Sequence, residues 1–113
     1  MKLVDKTITK KELGKMAEKF AGGLVKAVVD VRKEILAVDA PMHADEEKYL
    51  LDRGSLQDDL WGINLYPNIE DDDFIEFDSM INVRPRLRNF SRGIESKKLQ
   101  EKITTIVSKL IEP

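Results

Sequence analysis

Residues 59–67 and 74–85 read DLWGINLYP and FIEFDSMINVRP, and in both the apolar positions recur at every second residue. In the first, Trp61, Ile63 and Leu65 share one side of an extended chain, with Gly62, Asn64 and Tyr66 on the other. In the second, Ile75, Phe77, Ser79, Ile81 and Val83 oppose Glu76, Asp78, Met80, Asn82 and Arg84. A period of two is incompatible with a helix, so these segments predict two strands of a hairpin with one apolar and one largely polar face. Such strands belong in an antiparallel sheet covered by helices on one side only.

The remaining segments supply the cover. Thr9 and Glu12 fit a capping box, and Leu13, Met16, Ala17 and Phe20 form one face of a helix that Gly22-Gly23 ends. VKAVVDV (25–31) and ILAVDA (35–40), joined by Arg32-Lys33-Glu34, predict another hairpin, closed by Pro41. A short helix over about residues 45–53 follows, with Asp45, Glu46 and Glu47 in its first turn and Gly54 stopping it. The last helix, about 96–111, carries Leu99, Ile103, Ile106, Val107 and Leu110. The expected fold is α+β, in the order α-β-β-α-β-β-α. It has two layers, with three helices on a four-stranded, mainly antiparallel sheet in a single compact domain spanning residues 1–113.

Composition excludes whole classes. With 42% hydrophobic residues, 35% charged residues and a net charge of −2, the chain reads as globular rather than disordered. No apolar run approaches the ~20 residues of a membrane span, and MKLVDKTITKKEL lacks the apolar stretch of a signal peptide. Without cysteine there is no disulfide and no thiolate metal site. A cytoplasmic protein with no membrane association is the expectation. Neither a nucleophile elbow, a phosphate-cradling lysine loop nor a dinucleotide glycine pattern is present, so no cofactor is called for.

Four stretches resemble a known family: LVKAVVDV (24–31), HADEE (43–47), GSLQDDLWGINLYP (54–67) and FDSMINVRPRLRNFSRGI (77–94), followed by the terminal helix. Almost end to end, the chain is similar to a family of short prokaryotic proteins known only as a domain of unknown function. The resemblance implies one compact domain. It brings no activity, ligand or catalytic residue to these positions.

The residues themselves point to two chemistries. Charge is segregated, with eight acidic and no basic residues from Asp58 to Asp78, then seven basic and two acidic from Arg84 to Lys102. On one reading these segments neutralise each other, with Glu76, Asp78, Arg84, Arg86 and Arg88 on one face of an extended strand. On the other, Arg84, Arg86, Arg88, Asn89, Ser91 and Arg92 form an anion site. Guanidinium forks and backbone N–H groups ahead of the last helix would take a phosphate-bearing ligand or RNA, with Asn82, Asn64, Tyr66, Glu76 and Asp78 on the adjoining face. Phe90 and Tyr66 offer stacking groups. A pI near 5.5 is compatible with a specific RNA contact but not with coating duplex DNA.

His43, the only histidine, stands in H-A-D-E-E. With Asp45 and Glu46 it could ligate a divalent metal or serve as an acid–base group; equally, these are ordinary residues of a helix start. A binding module is therefore the leading expectation. The alternatives are a small hydrolase or transferase, with His43, Asp59, Glu76 or Asp78 as the acid–base group and the arginines holding substrate, and a homo-oligomeric interaction protein.

Overall fold

The computed structural model describes residues 1–113. Its elements run β1 (Lys2–Val4), β2 (Ile8–Thr9), α1 (Lys10–Ala17), β3 (Val25–Asp30), β4 (Ile35–Val38), α2 (His43–Leu51), β5 (Leu60–Leu65), β6 (Ile75–Glu76), α3 (Lys97–Leu110) and β7 (Ile111–Glu112). The class is α+β, with three helices and an antiparallel main sheet. That sheet has five strands rather than four, in the order β1-β4-β3-β5-β6, and β2 pairs in parallel with β7 in a small separate ribbon. The additional strands hold two or three residues each, too few for an alternation to register.

Local chemistry explains the boundaries. Thr9 Oγ1 accepts the Glu12 N–H at 3.1 Å and Glu12 answers with its carboxylate on Thr9, so α1 opens on the expected capping box. α1 ends at Ala17, however, and Phe20 lies half-buried beyond it. The β3–β4 turn is fixed by a buried aspartate. Asp30 Oδ1 accepts the N–H groups of Arg32 and Lys33, both at 2.9 Å, while Oδ2 accepts the Ser55 hydroxyl at 2.7 Å. Glu34 closes the turn in the left-handed region at φ +56.

β3 and β5 sit at the middle of the sheet, paired from Val25↔Leu65 to Asp30↔Leu60. Their odd-numbered side chains (Val25, Ala27, Val29, Trp61, Ile63, Leu65) form the main core with Leu13 and Ala17 of α1 and Ile103, Ile106 and Val107 of α3. Each fully buried large aliphatic side chain contributes about 1.5–3 kcal/mol.

The opposite face is not open, contrary to the one-sided sheet expected from the alternation. Val28, Ala37 and Leu60 pack there against Leu50 of α2, with Tyr49 and Ile81 at the margin. Two features concealed this cover. α2 presents few large apolar residues, and the rest of the covering surface comes from an irregular segment, residues 79–93, whose first part, up to Pro85, the alternation assigns to a strand. Only Ile75–Glu76 pairs with β5, at Leu65↔Ile75 and Asn64↔Glu76. Beyond Glu76 the chain leaves the sheet. Consequently Glu76, Asp78, Arg84, Arg86 and Arg88 do not share one strand face.

Candidate binding hairpin

Gly62 shows why the strand stops. A Cβ on Gly62 would lie 2.5 Å from Ser79 Cβ and 3.1 Å from Ile81 Cγ1, so the chain at 79–81 crosses directly against the β5 backbone. A strand glycine here admits the close approach of a neighbouring chain, and that neighbour is Ser79. Ser79 then caps a short 3-10 turn, Met80–Asn82, by accepting the Ile81 N–H. Asn82 stands in for the missing strand. Its Oδ1 accepts the Gly62 N–H at 2.8 Å, and its Nδ2 donates to the carbonyls of Gly62 (2.9 Å) and Arg92 (3.0 Å).

From here residues 79–93 double back as an irregular hairpin. Arg84 and Asn89 exchange backbone hydrogen bonds at 2.8 and 3.1 Å, and Ser79 N–H donates to Arg92 at 2.9 Å. Pro85–Leu87 turn at the tip, with Arg88 in the left-handed region at φ +59. A second buried amide locks the return limb. Asn89 Nδ2 donates to the carbonyls of Asn82 (2.8 Å), Ser91 (3.2 Å) and Gly93 (2.8 Å), while its Oδ1 accepts the Glu95 N–H at 2.9 Å. The expected nest of Ser91 and Gly93 N–H groups is not what forms: the Ser91 amide converges with that of Phe90 instead, and a carboxylate already occupies the pair. Phe90 and Ser91 N–H both donate to Glu95 Oε2, at 2.6 and 3.1 Å.

The four arginines have separate circumstances. Arg84 is buried between the Glu47 carboxylate, 3.0 Å from its Nη2, and the Trp61 ring, 5.0 Å away, and its Nη1 has no partner. Burial pulls its pKa down, against the pull of Glu47. Arg86 makes a two-pronged pair with Asp58, which raises the guanidinium and lowers the carboxylate. Arg92 Nε donates to Asp78 at 2.7 Å. Arg88 is exposed and forms no ion pair. The acidic and basic segments thus meet at Asp58–Arg86 and Asp78–Arg92, whereas Arg84 is served from α2. Apolar groups stand out beside these charges: Phe90 and Met80 are each 65% exposed, and Val83 is exposed as well.

Asn64, Tyr66, Glu76 and Asp78 come together at the β5–β6 edge. Glu76 Oε1 accepts from Asn64 Nδ2 at 2.8 Å and from the Tyr66 hydroxyl at 3.0 Å; burial, then that carboxylate, raises the Tyr66 pKa. Asn64 Nδ2 also lies 3.3 Å from the Asp78 carbonyl, and Arg92 links this group to the hairpin. Lys26 stands beside Asn64 in the strand register.

Over this row sits the start of α2. His43 Nε2 lies 2.8 Å from the Ile63 carbonyl, so this nitrogen carries the proton, and burial lowers the imidazole pKa. Glu46 is fully buried; its Oε2 accepts the Ala40 N–H at 3.2 Å, Oε1 has no partner, and desolvation pushes its pKa to about 9. Lys26 was not among the residues singled out from the sequence, and Glu46 was singled out beside His43 as a metal-ligating or acid–base group rather than as a buried one. The signal for Glu46 was available, because His43, Glu46 and Leu50 are the buried stripe of α2 at i, i+3 and i+7. Asp45 faces solvent, and no group of three or more His, Asp or Glu side chains is arranged to hold a metal.

No curated protein and no solved structure matches the chain. Residues 2–110 match the profile of DUF5674, described as a protein of unknown function, and the chain belongs to that family.

Proposed function

We propose that the chain is a binding module that takes a phosphate-bearing ligand, in its extended form a short single-stranded RNA, on the hairpin 79–93. The observation that carries this reading is Phe90. An aromatic ring 65% exposed stands two residues from Arg88, an arginine without a carboxylate partner, on a backbone held by two buried asparagine side chains. A ring and a guanidinium on a rigid frame offer a base a stacking surface and a phosphate a charged donor, at little ordering cost. Arg86 and Arg92 belong to the same hairpin, already paired with carboxylates that a phosphate must displace. Ser91 is exposed beside them. The cleft of about 480 Å³ formed by residues 70–77 and α3 contains no arginine, which favours binding over an enzyme with arginine substrate clamps.

Fluorescence anisotropy of a labelled single-stranded RNA oligomer tests the proposal, with inorganic phosphate and a mononucleotide as competitors. Phe90→Ala and Arg88→Ala should each weaken RNA binding about tenfold while leaving the melting temperature unchanged, because neither side chain supports the fold. Arg86→Ala should weaken it less, because Asp58 already engages that guanidinium and a phosphate must displace the carboxylate to use it. Competition by phosphate alone identifies a phosphate ligand; competition only by base-bearing ligands identifies RNA. Wild-type affinity in both variants would refute the proposal.

A further inference from the structure

A different surface has the opposite character. The cleft of about 480 Å³ has an apolar floor of Phe74, Ile75, Phe77, Val107 and Ile111, and Glu70, Asp71 and Asp72 along its rim. This volume falls in the range of ligand-sized clefts. None of the three rim carboxylates takes part in an ion pair, although seven such pairs form elsewhere in the molecule. The one cation in the lining, Lys10, lies 5.0 Å from the Phe74 ring centre. The cleft is therefore a greasy trough with uncompensated negative charge beside it.

Backbone is on offer there too. Ile75 belongs to β6, the last strand of the main sheet, and Ile111 to β7, one strand of a two-stranded ribbon. Each has one side without a hydrogen-bonded neighbour. A short edge strand next to alternating pockets is the usual acceptor for an added peptide strand, with backbone bonds supplying affinity and side chains specificity.

We infer that this cleft receives an extended segment of a partner protein in which basic and apolar residues alternate. Its apolar side chains fill the floor over Phe74, Phe77 and Val107, its ammonium or guanidinium groups meet Glu70, Asp71 and Asp72, and its backbone adds to β6 or β7. The charge complementarity selects the occupant. An acidic or neutral strand would leave the rim carboxylates uncompensated, and a cation without apolar groups would leave the floor wet. This site shares no residue with the hairpin 79–93 and does not depend on the reading given for it.

The test is an amide-resolved NMR titration of the full chain with a capped hexapeptide alternating Lys and Val. Two controls accompany it, the same peptide with Glu for Lys, and hexalysine. Saturable shifts at Ile75, Glu76, Ile111 and Glu112, with the hairpin amides unmoved, are expected. Glu70→Gln, Asp71→Asn and Asp72→Asn combined should weaken binding about tenfold at low salt and flatten its salt dependence. Asparagine at 71 keeps an acceptor for the Asp73 N–H that Asp71 now holds at 2.9 Å, so the local turn is retained. The wild-type controls need no variant to fold. Equal binding of the acidic peptide, equal binding of hexalysine, or no shift at the strand amides would each overturn the inference. So would the same shifts appearing with protein concentration alone, which would make the occupant a second copy.

Discussion

Three residues decide whether the candidate surface exists: Gly62, Asn82 and Asn89. Gly62→Ala places a methyl group 2.5 Å from Ser79 Cβ, where backbone-borne atoms cannot simply swing away, and should cost about 1–3 kcal/mol in a denaturant melt. Ser79→Gly should recover part of that loss in a double-mutant cycle, because it removes the opposing atoms. Asn82→Ala strips a buried N–H and two carbonyls of their partners and should cost about 2–4 kcal/mol. The arginines divide by burial. Arg84→Ala leaves the poorly exposed Glu47 carboxylate uncompensated and should destabilise by about 3 kcal/mol, whereas Arg88→Ala should leave stability unchanged. Sequence alone singled out Asn82 and Asn89 as polar groups of interest without indicating that they bind backbone. An asparagine facing a carbonyl and one facing solvent read identically, and the partner carbonyls lie up to 20 residues away.

Elements with a local cause were legible; those held by distant contacts were not. α1 announced its start through Thr9 and Glu12, and Thr9→Ala should cost about 1 kcal/mol by removing that cap. β3, β4, β5 and α3 follow their apolar patterns. β6 fails after two residues because contacts from Gly62 and Asn82 prevail over an alternation that runs on to Val83, interrupted only at Ser79 and Met80. α2 hides a pH-dependent strain. The Glu46 carboxyl sits at about 9 in the fold against an ordinary 4.5, so its contribution is fully present below about pH 4.5 and declines as pH rises toward 9. By about pH 7 the loss is roughly 3 kcal/mol. His43 acts in the other direction. Burial lowers its pKa, so its contribution is intact above the ordinary 6.5 and declines as pH falls below that value. Glu46→Gln should abolish most of the fall in urea midpoint between about pH 5 and pH 9, leaving the His43 decline on the acid side. A variant that keeps the wild-type alkaline fall would show that Glu46 is ionised in the fold.

On the scale of the molecule, the segregated charge partly closes on itself, since Asp58–Arg86 and Asp78–Arg92 join the acidic and basic segments. Among the groups left without an ion pair are Arg88 on the hairpin and the carboxylates at the rim of the α3 cleft. A net charge of −2 gives the hairpin no long-range field, so affinity there must come from contact. With one unpaired arginine the logarithm of RNA affinity should fall with the logarithm of salt at a slope of about −0.7, rather than the roughly −2 expected if three phosphates were neutralised. The alternation made the sheet legible but not its second cover, because α2 and the 79–93 hairpin reach it through His43, Glu46, Asn82 and Ser79 rather than through an apolar stripe. The most direct measurement is an amide-resolved NMR titration of the wild-type chain with a short single-stranded RNA at low salt. Saturable shifts centred on residues 86–92, with the β3–β5 amides and the 70–77 cleft unmoved, are the predicted result. Unshifted hairpin amides at saturating RNA, or diffuse shifts over the whole surface, would contradict the assignment of this hairpin as the binding site.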